Sequence, residues 1–187
     1  MLGRRAFVAG SVAVTALPVV AAKHSPPPPK VGAIRWPGPG YDLHGFMAVP
    51  AKAHGRQPAV LLVPDTSGAD QFALGLADSL ALAGFMACLP KALASLDDAL
   101  ATVHWLATNR YATGKVAALA WGLGTDMVDR IAESPQPLLA AGVTFGASGV
   151  EPGPVPILRF GAIGTLSGDA YDRAWQRTLA FLKEQLA

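Results

Sequence analysis

Lys115-Val-Ala-Ala-Leu-Ala-Trp-Gly-Leu-Gly-Thr-Asp-Met-Val-Asp-Arg-Ile-Ala132 is the stretch that decides how the chain folds. Lys115 to Trp121 is an apolar run of strand length. Gly122-Leu-Gly124 follows without a break, and Thr125 to Ala132 then has helical spacing. A strand that passes through a tight glycine turn into a helix has the layout of a nucleophile elbow, in which the turn lifts one side chain above the sheet. Such a turn needs small residues on either side of its apex, and Ala120 and Gly124 meet that need. It also needs Ser or Cys at the apex, and the apex here is Gly122, which has no side chain.

On both sides of this stretch, strand and helix signals alternate. Leu43 to Val49 reads as a strand ended by Pro50, and Ala59 to Val63 as a continuous apolar strand buried on both faces. Gln71 to Ala83 is an amphipathic helix stopped by Gly84, and Phe85 to Leu89 is the next buried strand. Ser95 to Asn109 is a second helix, with Ser95 as N-cap and Asp97-Asp98 in the first turn, where the helix dipole favours acids. Leu138 to Phe145 and Val155 to Phe160 are further strands, and Ala170 to Leu186 is a closing helix. Alternation of this kind implies an α/β fold: a mostly parallel sheet with helices on both faces, joined by right-handed crossovers. Six or seven strands are expected, with a weak early strand near Val31 to Trp36 at one edge.

With 187 residues, 51% hydrophobic and a net charge of +2, the chain has the material for one cored domain, expected over residues 31–187. The charge is too small and too scattered for a nucleic-acid partner. The single cysteine, Cys88, excludes an internal disulfide framework, and its place in an apolar strand marks it as a core residue. Arg4-Arg5, the uncharged run Val8 to Ala22 and the small residues before Lys23 have the parts of a twin-arginine export signal over residues 1–22. Gly10 and Pro18 interrupt that run, which is shorter than the ~20 residues of a spanning helix, so a membrane contact is expected only if the signal stays uncleaved. Residues 23–30, with Pro26 to Pro29, read as a stiff spacer. The expected location is the periplasm.

The order Pro58-Ala-Val-Leu-Leu-Val-Pro64, Leu82-Ala-Gly-Phe85, the elbow segment and Ala174-Trp-Gln-Arg-Thr-Leu-Ala-Phe-Leu182 resembles the dienelactone hydrolases, members of the α/β-hydrolase fold. The resemblance runs from about Leu43 to the end of the chain and implies a compact, shortened version of that fold. It also implies a small ester or lactone as ligand, and no cofactor. Members of the family place a Cys, sometimes Ser, at the apex held here by Gly122, and His-Glu at the positions held here by Pro64-Asp65. Their late Asp and His fall in a region where this chain has Gly161-Ala-Ile-Gly-Thr-Leu-Ser-Gly168, without histidine and with Asp169 as its first acid. The link there is short, and so is the stretch after Leu89.

Read from the residues alone, Asp65-Thr66-Ser67-Gly68 follows a buried strand at the carboxyl edge of the sheet, where open α/β folds keep their sites. Asp65 could act as a general base, and the Thr66 amide could pair with that of Leu123 as an oxyanion hole. The plain alternative is a polar loop and helix cap. Ser67 as a displaced nucleophile lacks a neighbouring base. Trp121 and Thr125 flank the elbow as pocket candidates, and Thr125 and Asp126 equally suit the capping of the helix.

A nucleophile needs a base within hydrogen-bond reach. The four histidines are His24 in the spacer, His44 opening a strand far from the carboxyl ends of the parallel strands, His54 in a polar turn and His104 in mid-helix, none expected at the elbow. Gly122-Leu-Gly-Thr-Asp-Met127 partly matches a dinucleotide fingerprint, but its third glycine is Met127 and the later acid is absent. No Cys/His/Asp cluster has metal-ligand spacing.

Three readings follow from these residues. One is an exported dienelactone-hydrolase-like protein that has lost its hydrolytic chemistry. The second is a weak ester or lactone hydrolase using Asp65 to activate water. The third is a degraded gene product. Oligomeric state is left open.

Overall fold

The computed structural model describes residues 27–65, 68–134, 138–146 and 153–187. The expected export signal, the first half of the spacer, Thr66 and Ser67 lie outside the described residues. β1 (Lys30–Pro37) and β2 (Asp42–Val49) form an antiparallel hairpin. After them come β3 (Gln57–Val63), α1 (Gln71–Leu82), β4 (Met86–Pro90), α2 (Leu96–Thr108) and β5 (Ala112–Trp121). A single 3₁₀ turn, Gly122–Gly124, leads into α3 (Thr125–Ala132), β6 (Leu139–Phe145), β7 (Ile157–Phe160) and α4 (Asp169–Leu186).

The seven strands form one sheet in the order β1-β2-β4-β3-β5-β6-β7. β4, β3, β5, β6 and β7 run parallel, and the β1–β2 hairpin joins through an antiparallel β2–β4 pairing. The expected α/β class and the edge position of the early strand are both observed.

Strand alternation sorts β5 between two cores. Val116, Ala118 and Ala120 pack on the α2–α3 side, while Ala117, Leu119 and Trp121 pack on the side of α1 and α4. Both faces are covered, which is why these strands read as unbroken apolar runs. Ser95 accepts the Asp98 amide at 3.1 Å, the N-cap its sequence predicts. For α1 the cap is Asp70, whose carboxylate accepts the Ala73 amide at 2.8 Å. β7 begins two residues later than Val155: its pairing opens with the Pro156 carbonyl, which accepts the Gly142 amide at 2.9 Å, and Pro156 has no N–H to extend the ladder.

The hairpin is fastened to α2 by two side-chain hydrogen bonds, one buried and one at the surface. Trp36 Nε1 donates to Thr102 Oγ1 at 3.0 Å, and Tyr41 donates its hydroxyl to Asp98 Oδ1 at 2.6 Å. Trp36 also stacks on Trp105, with centroids 5.4 Å apart.

Candidate functional site: a vacant elbow beside Asp65

β5 ends in extended backbone at Trp121 (φ −139°), and Gly122 turns sharply to φ +57° before α3 begins. That left-handed value is costly for any residue with a Cβ, and it gives the elbow its sharpness. Thr125 closes the turn by donating its hydroxyl to the Gly122 carbonyl at 2.9 Å.

One strand over, β3 delivers Asp65 to the same spot. A Cβ on Gly122 would lie 3.4 Å from Asp65 Cβ and 3.5 Å from its Oδ2. The acid is therefore in van der Waals contact with the place where an apex side chain would start. The Gly68 amide donates to the Asp65 carbonyl at 3.2 Å. A pocket of about 200 Å³ opens beside this pair, lined by Val63, Pro64, Asp65, Leu93, Leu123, Gly124 and Met127. Leu123 is 72% exposed and forms a lip, and Phe72, edge-on to Trp121 at 5.6 Å, is a second exposed apolar residue near the turn.

The structure thus brings together Gly122, Asp65 and Leu123. It turns Trp121 into the α1–α4 core, and Thr125 is buried with its hydroxyl bonded to the turn; neither lines the pocket. Leu93 and Met127 do line it and were not singled out in the sequence. Leu93 follows β4 and Met127 lies in the first turn of α3, so the signal was their place at the carboxyl edge.

The histidines need one correction. His44 was expected far from the carboxyl edge. Because β2 runs antiparallel, it starts at that edge, and the Lys91 amide after β4 donates to the His44 carbonyl at 2.9 Å. β2 is still three strand steps from β5, or about 14 Å, and His44 is exposed. His54 and His104 are exposed on a turn and on α2. Cys88 is fully buried in β4, and burial pushes its thiol well above the ordinary range, leaving it inert.

A buried polar cluster lies beyond the elbow and was also missed. Asp129 on α3, 2% exposed, accepts from Arg159 Nη1 of β7 at 2.9 Å. Its other carboxylate oxygen, like the hydroxyl of buried Thr144, has no partner among the described residues. Thr144 pairs in register with Arg159. An arginine inside the short apolar run Ile157 to Phe160 was the visible cue.

A larger cavity, about 940 Å³, lies between α2 and α3 and includes Leu96, Leu100, His104, Trp105 and Arg130 in its walls. It shares no lining residue with the elbow pocket. Among the described residues, no three His, Cys, Asp or Glu side chains are grouped to hold a metal ion.

No protein-family model matches the chain, and no curated protein matches its sequence. Solved structures do match its fold. The structure named m3DLH superposes with a TM-score of 0.65 at 14% identity, over 86% of this chain and 100% of that one. The dienelactone hydrolase-like promiscuous phosphotriesterase P91 from metagenomic libraries gives 0.64 at 16% identity, over 86% and 100%. A protein of Klebsiella pneumoniae subsp. pneumoniae described as a dienelactone hydrolase gives 0.63 at 14%, over 83% and 99%. The chain has a dienelactone hydrolase-like α/β-hydrolase fold.

Proposed function

We propose that this chain is an exported, dienelactone-hydrolase-like protein whose hydrolytic chemistry is impaired, and that its elbow and small pocket serve binding. The observation that carries this reading is the turn at Gly122: the elbow backbone is kept, and the atom that would attack is missing. The described histidines lie on other elements, so among the described residues an attacking group at position 122 would have no imidazole base beside it. Export to the periplasm rests on residues 1–22 alone.

The place of Asp65 favours a second reading. A carboxylate at the apex could hold a water as general base, making a weak ester or lactone hydrolase.

Hydrolysis of p-nitrophenyl acetate by the protein and by Asp65→Ala separates the two. The first reading expects no rate above buffer in either. A parental rate that disappears in Asp65→Ala would overturn it and make Asp65 the base. A small rate that survives Asp65→Ala would fit residual stabilisation by backbone amides alone.

A further inference from the structure

We infer that the end of the fold opposite the elbow is a docking surface for an anionic lipid bilayer. The helices sort charge between the two ends of the sheet. All four begin at the carboxyl end of the parallel strands, where their dipoles favour acids. Asp70 caps α1, and Asp97, Asp98, Asp126, Asp169 and Asp172 lie in the first turns of the others. The opposite end carries bases. Lys52 and Arg56 sit in the loop from β2 to β3, Arg110 between α2 and β5, and Lys30 at the start of β1, level with Val49 at the end of β2. All four are exposed.

These bases are scattered along the sequence and gathered by the backbone. Arg56 Nε donates to the Arg110 carbonyl at 3.3 Å, and the Gln57 amide donates to the Tyr111 carbonyl at 2.8 Å. The Gln57 side chain donates to the His54 and Gly55 carbonyls at 3.2 and 3.3 Å, which fixes the loop that presents Lys52 and Arg56. Arg110 lies over the Tyr111 ring at 4.6 Å. Among the described residues no acid is paired with any of the four bases. The acids toward this end are Glu133 after α3 and Glu184 near the end of α4, both on the β6 side of the sheet, and Asp78 one turn above the end of α1.

Two observations choose lipid as the partner. Exposed Val31, Leu82 and Tyr111 stand at the same end as the bases, and cationic heads mixed with apolar and tyrosine side chains suit a headgroup layer. The chain also enters the fold here. Residues 1–26 join β1 through Pro27, Pro28 and Pro29, and they carry Arg4, Arg5, Lys23, the apolar run Val8 to Ala22 and no acid that could neutralise the patch. The patch itself lies in the folded residues and remains if residues 1–22 are removed. Docked this way, the elbow and the acids around it face water, away from the bilayer.

Sedimentation of the full chain with vesicles tests this, comparing phosphatidylcholine alone with phosphatidylcholine containing a quarter phosphatidylglycerol. The protein should partition at least ~10-fold more strongly onto the anionic vesicles, since each base near such a surface is worth about fivefold. Raising the salt to about 1 M, where the screening length falls to about 3 Å, should remove the preference. Joint substitution of Lys52→Gln, Arg56→Gln and Arg110→Gln should lower anionic partitioning at least ~10-fold and leave the neutral vesicles unchanged. Lys91→Gln, Arg173→Gln and Arg177→Gln together remove the same charge elsewhere and should change little. Lys52→Glu breaks no described bond and should also weaken binding ~10-fold, which keeps the test valid if the triple variant folds poorly.

Equal partitioning onto both vesicle types overturns the inference, as do equal losses in the two triple variants, which would make net charge the cause. Tighter binding to a short DNA duplex than to the anionic vesicles at the same salt would assign the patch to nucleic acid and overturn it as well. The ester assay can come out either way without touching this result.

Discussion

Gly124 and Val63 are in backbone contact: a Cβ on Gly124 would lie 2.6 Å from the Val63 carbonyl oxygen, with the Pro64 carbonyl at 3.0 Å. The elbow helix is pressed against the end of β3, and that approach is what sets Asp65 beside the apex. Gly122 and Gly124 are therefore required for different reasons. Gly124 has an ordinary φ of −69° and no room, whereas Gly122 has room but a left-handed φ of +57°. Gly124→Ala should lose about 2–3 kcal/mol by forcing the two backbones apart, and Gly122→Ala about 1–2 kcal/mol. Urea unfolding of both variants checks the order, and a larger loss for Gly122→Ala would contradict the described packing.

Gly122→Cys should fold and become acylable without turning over. Its Cβ meets Asp65 at ordinary contact distances of 3.4–3.5 Å. The carboxylate disfavours the thiolate, so acylation by p-nitrophenyl acetate should speed up only above about pH 8.5. Mass spectrometry should find one stable acetyl group at position 122 and none on buried Cys88. Steady turnover would mean that a base reaches the elbow.

Arg159 holds a carboxylate that would otherwise be buried and unpaired. Asp129 is 2% exposed, and Arg159 Nη1 stands 2.9 Å from it. Arg159→Met should destabilise the protein by about 3–5 kcal/mol, and adding Asp129→Leu should recover most of that loss. Denaturant midpoints of the single and double variants measure the difference. Equal losses in both would show that packing, and not the stranded charge, is the cause.

Tyr41 offers a pH-linked readout of the hairpin's attachment. Its hydrogen bond to Asp98 is the largest cause raising the phenol above its ordinary 10.0, with desolvation and the Asp98 charge adding to it. The folded pKa is the higher one, so the stabilisation is complete below pH 10 and is lost as pH rises through the folded value. Ultraviolet titration should show a tyrosine ionising late in the parent and moving down toward 10 in Asp98→Asn. No change in that variant would mean the bond is absent in solution.

The parts of the fold written in neighbouring residues were legible in the sequence. Helix α3 falls on Thr125–Ala132 as expected, because a glycine turn and helical periodicity are local signals. The contact of Asp65 with the apex was approachable through family resemblance, and the geometry gives it a distance. The direction of β2 was not legible, since alternation along a strand is the same whichever way it runs, and the misplacement of His44 followed from that. The Asp129–Arg159 pair spans 30 residues and two elements, so no window along the chain contains it.

The left-handed turn at position 122 has a consequence for how such a protein changes over time. A Cys or Ser held there would carry a standing penalty of about 1–2 kcal/mol, a sizeable share of the 5–15 kcal/mol that separates folded from unfolded domains. Glycine adopts the same turn without it. Selection for persistence alone therefore favours glycine at the apex, and regaining a nucleophile would run uphill in stability before it delivered any chemistry.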